Sequence, residues 1–209
     1  MLNFSSNLNI NSFPETLPIF DGAEALLLPG GQLPLHIFEP KYVNLVEDAL
    51  AAKNRLVGVC LKNKVLGGIY KTGCAGRITS FDEMADGRLL IALTGFCRFK
   101  VIEEIPSMRG HKRLKVDWEE FESDVSVILN PEIDRDKLIK KIKSYSEGLA
   151  IDMDWEVLEQ TPSFNIITFF AMNLPFSVDE KQMLLESLTL EDRADNLIEL
   201  IDKKKAESV

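Results

Sequence analysis

Apolar and polar residues follow two different periods in the two parts of this chain. From residue 25 to residue 121, short apolar runs alternate with polar residues and are separated by turn signals. Alternation with a period of two is typical of half-buried β-strands, whereas a period near 3.6 is typical of amphipathic helices. Because the longer period begins after residue 123, the pattern predicts an α+β protein, with a β-rich module at 1–123 and an α-helical module at 124–209.

The first module carries roughly six strand signals with regularly spaced turns, which favours a barrel or sandwich over an open parallel sheet. After an apolar segment near the start of the chain, the predicted strands occupy residues 55–61, 69–81, 88–93, 96–105 and 113–121. The sequence Ala85-Asp86-Gly87 indicates a hairpin turn before the strand at 88–93.

One helix is predicted inside the β-rich module. Pro40 suits the first helical position, because the amide it lacks would be unpaired there. The apolar positions that follow at helical spacing are Val43, Val46, Ala49 and Leu50. Phe38 lies just before the helix, so we expect its ring to pack back on the helix as a hydrophobic staple.

The second module predicts a bundle of four or five helices. The clearest helical patterns cover residues 131–145, 163–173, 179–188 and 191–204. The segment 163–173 is apolar nearly all round, which predicts a buried helix.

Charge is distributed unevenly between the modules. The net charge is −9, with 15 acidic and 14 basic residues at 1–123 and 18 acidic and 10 basic residues at 124–209. An acidic second module repels phosphate and disfavours nucleic acid as a partner. The local exception is the basic run 109–115, which leaves open an alternative reading as a nucleic-acid-binding module.

The sequence predicts neither a membrane span nor an export signal. The longest apolar runs, such as 166–172, are far shorter than the roughly 20 residues of a membrane-spanning helix. Residues 1–7 lack the basic and apolar regions of a signal peptide. We therefore expect a cytoplasmic protein that does not bind membranes.

Candidate chemistry is sparse. Cys60, Cys74 and Cys97 lie in apolar strand-like runs without a C-x-x-C pair, so we expect buried, reduced thiols. The two histidines lack metal-ligand spacing, and the carboxylate clusters lie in polar segments typical of solvated faces. We therefore predict no catalytic residue, no metal and no cofactor. An enzyme that uses Cys97 or the His36/Glu39 pair stays open as a rival.

Four sequence blocks, in order, resemble the N-terminal substrate-binding domain of Lon proteases. The blocks are residues 17–42, with Pro-Leu-His-Ile-Phe-Glu-Pro-Lys-Tyr at their end, then 73–78, 95–101 and 174–193. Lys41 stands where arginine is usual, and Gly76 where alanine is common. The resemblance covers nearly the whole chain and implies a six-stranded PUA-like pseudobarrel followed by a helical subdomain.

The residues that carry the resemblance are interpreted as structural. They are Pro34, Phe38, Glu39, Pro40, Tyr42, Arg77, Gly95, Arg98, Gln182, Glu186 and Arg193. Because Glu39 and Arg98 both belong to these blocks, we expect them to form an ion pair.

The resemblance implies binding rather than catalysis. In Lon, the ATPase and proteolytic modules follow this domain, and 209 residues leave no room for either. The nearest P-loop-like sequence, at 67–72, does not fit the phosphate-binding pattern. The predicted function is therefore a non-catalytic protein- or peptide-binding module that recognises exposed apolar segments of other proteins.

Apolar residues in predicted turns and loops are the candidate contacts, because loops carry binding groups on a rigid scaffold. These candidates are Phe20, Phe81, Met84 and Met108. The expected partners are unfolded or apolar protein segments, together with a protease or chaperone in trans, and the resemblance also allows a homodimer. The alternative is a PUA-like module that binds nucleic acid.

Overall fold

The computed structural model describes residues 10–21, 24–125, 133–148 and 154–207. The chain divides into two compact units, Met1–Ile128 and Leu129–Val209. The expected boundary after residue 123 falls shortly before the end of the first unit.

The first unit contains one six-stranded sheet. Its strands are β1 (Thr16–Phe20), β2 (Gln32–Ile37), β3 (Leu56–Val59), β4 (Thr72–Glu83), β5 (Leu89–Ile105) and β6 (Lys112–Asp117). The order is β2-β5-β4-β3-β1-β6, and β5 also pairs with β6, so the last five strands form a closed circuit. β2 and β6 share one side of the long β5, with β2 on its first half and β6 on its second half.

The two strands predicted at 88–93 and 96–105 are a single strand, β5, so that prediction was wrong. Gly95 does not break the strand but allows another segment to approach it. A Cβ at this position would lie 1.9 Å from the carbonyl oxygen of Leu28. The Gly95 N–H donates to the Gly31 carbonyl at 2.8 Å, which holds the start of β2 against β5.

The strand predicted at 113–121 ends earlier, at Asp117. A 3-10 segment, Glu119–Val125, follows and directs Phe121 into the core. The main core cluster of this unit comprises Leu17, Ile19, Leu56, Cys60, Ala75, Phe96, Cys97, Phe99, Leu114, Val116, Trp118 and Phe121. The prediction of buried, unpaired cysteines is confirmed.

Helix α1 (Pro40–Ala51) packs against β1 and β3, and its predicted start at Pro40 is confirmed. Its buried residues are Tyr42, Leu45, Val46 and Ala49, so the buried face is turned relative to the predicted one. Phe38 is 65% exposed, so the predicted staple was wrong. The chain is still extended at Glu39, and because side chains alternate in extended backbone, the buried Ile37 leaves Phe38 facing out.

The second unit consists of helices α2 (Arg135–Gly148), α3 (Trp155–Gln160), α4 (Ser163–Asn173), α5 (Val178–Glu186) and α6 (Leu190–Glu207). Helix α6 contacts α2, α4 and α5. The predicted bounds of α4 are confirmed, although Phe169 on this helix is 56% exposed. The sequence pattern missed α3, and the predicted helix start at 131 lies outside the described residues.

Hydrogen bonds within the second unit explain three of the residues that carry the resemblance. The Gln182 side-chain amide donates to Glu186 at 2.7 Å, and the buried Arg193 donates to the Leu184 carbonyl at 3.0 Å. Both contacts join consecutive turns or helices, as expected of structural residues. In the described parts of the chain, every helix is too short or too polar to cross a membrane.

Candidate functional site

Three strand segments of the first unit extend together beside the closed circuit. They are residues 32–37 of β2, 78–83 of β4 and 89–94 of β5, and we call them the arm. The register places His36, Leu90 and Asp82 side by side across the arm. Directly opposite residues share one face of an antiparallel sheet, so alternate positions separate the two faces of the arm.

One face of the arm is buried and the other is exposed. Leu89, Ile91 and Leu93 on β5 are at most 4% exposed, whereas Leu90 between them is 42% exposed. An open cleft of about 500 Å³ covers the exposed face. Its lining residues are Pro34, Leu35, His36, Ser80, Asp82, Leu90, Ile91 and Ala92.

Phe38 extends the apolar part of this exposed face. Its ring is 65% exposed, and its centroid lies 6.2 Å from that of the His36 ring. His36 pairs with Leu90 in the sheet. Phe38, His36 and Leu90 therefore form an apolar and aromatic patch, which is typical of a site that binds another molecule.

The outer edge of β2 also presents unpaired backbone groups. Among the described strands, β2 pairs with β5 alone. Gly31, one residue before β2, accepts from the Gly95 N–H, so the odd-numbered residues of β2 bond to β5. Gln32, Pro34 and His36 consequently direct their backbone groups outward.

Pro34 fits this outward position, because proline lacks an N–H and is tolerated in a strand only where no ladder bond is lost. Gln32 and His36 keep their N–H donors at the edge, and all three residues present carbonyl oxygens. An extended polypeptide can satisfy such groups by pairing as a further strand.

Two of the four predicted contact residues lie on the arm. Phe81, opposite Ile91, is 45% exposed. Met84 lies in the hairpin turn that follows β4, where its N–H donates to the Arg88 carbonyl at 2.8 Å. Gly87, with φ of 82°, supplies the left-handed residue of that turn, as the Ala-Asp-Gly sequence predicts.

The other two predicted contact residues lie beside α1. The ring of Phe20 is 4.4 Å from that of Tyr42, whose hydroxyl donates to Asp21 at 2.7 Å. The side chain of Met108 is fully exposed. Thus the structure brings Phe81 and Met84 to the arm, whereas Phe20 and Met108 flank the helix.

Met108 is held in its exposed position by Arg109. The Arg109 side chain forms ion pairs with Glu47 and Asp48 on α1. The Asn44 amide donates to the Arg109 carbonyl at 3.0 Å. An exposed methionine beside this anchored residue offers an adaptable apolar contact to a partner.

The expected ion pair between Glu39 and Arg98 is wrong. Arg98 is 2% exposed and pairs with Asp124 at 2.7 Å, and its guanidinium lies 4.4 Å from the centre of the Phe121 ring. Glu39 lies at the surface, 3.7 Å from Lys41. The 3-10 segment after β6 supplies the partner of Arg98, which the resemblance did not indicate.

The basic run at 109–115 is compensated at two of its four Lys and Arg positions, Arg109 and Lys112. Arg109 pairs with α1, His111 and Leu114 are buried, and Lys112 lies 3.4 Å from Asp21. Since two of its charges are already compensated, this run does not favour the nucleic-acid alternative.

The geometry also disfavours the alternative hypothesis of an enzyme that uses Cys97. Burial raises the pKa of the Cys60 thiol to about 12, and it also raises the pKa values of Cys74 and Cys97. A protonated, buried thiol is a poor nucleophile. Within the described residues, no three His, Cys, Asp or Glu side chains are arranged to hold a metal ion.

The sequence matches the family described as the ATP-dependent protease La (LON) substrate-binding domain over residues 16–203. It is 28% identical to the Lon protease of Parabacteroides distasonis, over 93% of this chain and 24% of that protein. It is 29% identical to the Lon protease of Dictyoglomus thermophilum, over 86% of this chain and 23% of that protein. The chain spans about a quarter of the length of these relatives.

Two solved structures share this fold. The Lon N-terminal domain protein from Xanthomonas campestris is 25% identical, with a TM-score of 0.59 over 88% of this chain and 97% of that chain. The N-terminal domain of the Mycobacterium avium complex Lon protease has a TM-score of 0.63 over 90% and 98% of the two chains. At 13% identity, the second likeness concerns the fold alone.

Proposed function

This chain belongs to the family of the LON substrate-binding domain, and on that premise we propose that it binds other proteins by their exposed apolar segments, without catalysing a reaction on them. The single observation that carries the proposal is the patch of Phe38, His36 and Leu90 on the exposed face of the arm. Phe38 and Leu90 are 65% and 42% exposed on a sheet whose other face is core.

Binding at this patch would follow the ordinary energetics of apolar burial. Each Å² of apolar surface removed from water contributes about 25 cal/mol. The edge of β2 adds backbone hydrogen bonds for an extended segment. An unfolded segment loses conformational entropy when it is ordered, so we expect affinities of about micromolar or weaker for short apolar peptides.

A second pair of contacts lies on the hairpin end of the arm. Phe81 and Met84 are near the turn that joins β4 to β5, and Phe81 is 45% exposed. Phe81 shares the face of Ile91, opposite to that of Leu90, so we assign Phe81 and Met84 to a separate apolar contact at the hairpin end of the arm. Met108 and Phe20, each beside α1, are two further apolar contacts that we assign to a longer bound polypeptide.

The proposed lack of catalysis rests on which part of Lon is matched. The match is to the substrate-binding domain, and the sequence carries no P-loop pattern. We propose that the module works in the cytoplasm and delivers bound segments to a protease or chaperone in trans. The closed circuit of five strands supports a PUA-like pseudobarrel, and the contacts of α6 support a helical bundle.

The test is fluorescence anisotropy of a labelled, permanently unfolded protein and of a labelled single-stranded RNA, each titrated with this protein at two salt concentrations. Saturable, salt-tolerant binding of the unfolded protein supports the proposal. Binding of RNA alone, weakening with salt, favours the nucleic-acid alternative instead. Binding of neither contradicts the proposal.

A further inference from the structure

A second cleft of the first unit surrounds the buried side chain of His111. Its volume is about 270 Å³, and it lies where the end of α1 meets β1 and β6. Its lining residues are Pro14, Thr16, Leu17, Pro18, Asp48, Ala49, Ala52, Lys53, Asn54, Leu56, His111 and Arg113. None of these residues belongs to the arm.

The imidazole of His111 is a polar group without a hydrogen-bond partner among the described residues. The residue is 3% exposed, and neither ring nitrogen forms a hydrogen bond. The nearest carboxylate oxygen, Oδ2 of Asp48, lies 3.4 Å from Nε2. Burial of a polar group without a hydrogen bond is costly, so the charge state of this imidazole should respond to a charged group bound in the cleft beside it.

The loop before β6 fixes this imidazole in place. Gly110 has φ of 81°, a left-handed conformation that favours glycine. Arg109 is held against α1 by Asn44, Glu47 and Asp48. The cleft is therefore preformed rather than assembled from a free loop.

The charges that line the cleft favour an anion. Asp48 is partly compensated, because its Oδ1 pairs with Arg109, which also pairs with Glu47. Arg113 donates to the Thr16 hydroxyl at 3.0 Å, and among the described residues neither Arg113 nor Lys53 has a carboxylate within 4.0 Å. Two cations thus face the cleft beside one carboxylate that is partly compensated.

Apart from the polar Thr16 and Asn54, the rest of the lining is apolar. Pro14, Pro18, Ala49, Ala52 and Leu56 supply it. Ligand pockets for drug-sized molecules measure about 300–1,000 Å³. A cleft of about 270 Å³ suits a smaller group, about the size of one amino-acid residue.

We propose that this cleft binds a carboxylate attached to a small aliphatic group, with Arg113 and Lys53 on the carboxylate, the aliphatic group against the prolines and alanines, and His111 at the base. This chemistry is offered by the C-terminal residue of a polypeptide and by a free aliphatic acid. The site is independent of the arm, so its failure leaves the proposed function untouched.

The pKa of His111 should respond to the charge of a bound ligand. Burial lowers the pKa of His111, and Arg113 and Arg109 lower it further, whereas Asp48 raises it. A carboxylate bound beside the imidazole favours its protonated form and raises this pKa. A bound cation would lower it.

The experiment uses the two histidines of the sequence as probes in NMR spectra of the intact protein. N-acetyl-leucine and its uncharged amide, N-acetyl-leucinamide, are titrated in parallel, with 4-methylpentanoate as the free aliphatic acid. We expect a saturable shift of the His111 signals and a raised His111 pKa with N-acetyl-leucine, little response to the amide, and no shift of the exposed His36. Equal binding by 4-methylpentanoate would assign the site to free acids, and selective binding of N-acetyl-leucine would assign it to the C-terminal residues of polypeptides.

The matched variants are Arg113→Gln, which removes a cation from the cleft, and Lys62→Gln, which removes an exposed lysine elsewhere in the same unit. Loss of one charge-assisted contact should weaken binding of N-acetyl-leucine about tenfold in Arg113→Gln and leave it unchanged in Lys62→Gln. The proposal is overturned if His111 does not respond to either acid, if the amide binds as well as the acid, or if the two variants bind alike.

Discussion

The guanidinium of Arg98 and the carboxylate of Asp124 form a buried ion pair, with Nη2 and Oδ1 2.7 Å apart. The Arg98 backbone N–H also donates to Asp124, at 2.9 Å. This pair ties the middle of β5 to the 3-10 segment that follows β6. Asp124 is therefore part of the β-rich unit, and the Arg98 guanidinium that it pairs with lies over the Phe121 ring.

Replacing Asp124 with alanine should destabilise the protein strongly. The change removes the carboxylate that pairs with the buried Arg98 charge, and breaking a buried ion pair in this way typically costs about 3–5 kcal/mol. The matched control is Glu120→Ala, which removes a half-exposed ion pair with Lys100 and should cost less than about 1 kcal/mol. Urea unfolding measures both, and similar losses in the two variants would show that the Arg98–Asp124 pair is not a principal contact.

The start of α5 should contribute stability that is lost at low pH. Ser177 and Glu180 form a capping box, in which each side chain accepts from the other residue's backbone N–H. Burial alone would raise the pKa of Glu180, but the Ser177 N–H and the nearby Lys203 and Lys204 lower it to about 2.

Because the folded pKa of Glu180 is lowered, its stabilisation is present above the unfolded pKa of about 4.3 and is lost as the pH falls towards 2. Glu180→Gln should cost about 1 kcal/mol at pH 7 and little near pH 2. Glu199→Gln, an exposed change on α6, serves as the control. A cost for Glu180→Gln that does not vary between these pH values would contradict the assignment.

The three cysteines should make the first unit less stable at alkaline pH. An unfolded thiol ionises near pH 8.5, whereas the folded pKa of Cys60 is about 12. The stabilisation is complete below about 8.5 and is lost as the pH rises towards 12, by about 1.4 kcal/mol per pH unit for each thiol. Urea midpoints at pH 8, 9 and 10 should fall, and Cys60→Ala should fall less steeply. Identical slopes in the two proteins would contradict the prediction.

Backbone methylation tests whether a bound segment pairs with the edge of β2. An added strand directs alternate amides to Gln32, Pro34 and His36, and the remaining amides away from them. Of two apolar peptides methylated at alternate amides, one should bind like the parent peptide and the other at least about tenfold more weakly, since it loses more than one hydrogen bond. Anisotropy measures all three, and equal binding by both methylated peptides would exclude strand pairing while leaving apolar contact intact.

Local signals predicted the elements whose residues determine their own conformation. Pro40 starts α1, Gly87 turns the hairpin, and the apolar run from Ser163 to Asn173 forms α4, because each signal acts within a few residues. Where local signals were weak, as in the short α3, the pattern missed the helix.

Features that depend on distant neighbours were not predictable in the same way. Leu90 belongs to an unbroken apolar run, so its exposure became visible only once the register placed it between His36 and Asp82. From sequence alone, Gly95 indicates a strand break. In the structure it lies within β5, where the missing side chain allows Leu28 to approach the strand. Asp124 lies 26 residues from Arg98, and no spacing rule links them. The alternation around Pro34, by contrast, was a usable signal for an edge strand.

The most direct test of the proposed function compares two double variants for binding of a labelled, permanently unfolded protein. Phe38→Ser/Leu90→Ser removes the two apolar groups of the proposed patch, whereas Val65→Ser/Leu66→Ser removes two groups that are 81% and 85% exposed on a loop. Loss of two apolar side chains that binding would bury, worth up to about 1.5–3 kcal/mol each, predicts at least about tenfold weaker binding for the arm variant. The loop variant should bind like the wild type. Unchanged binding by a folded arm variant would contradict the account.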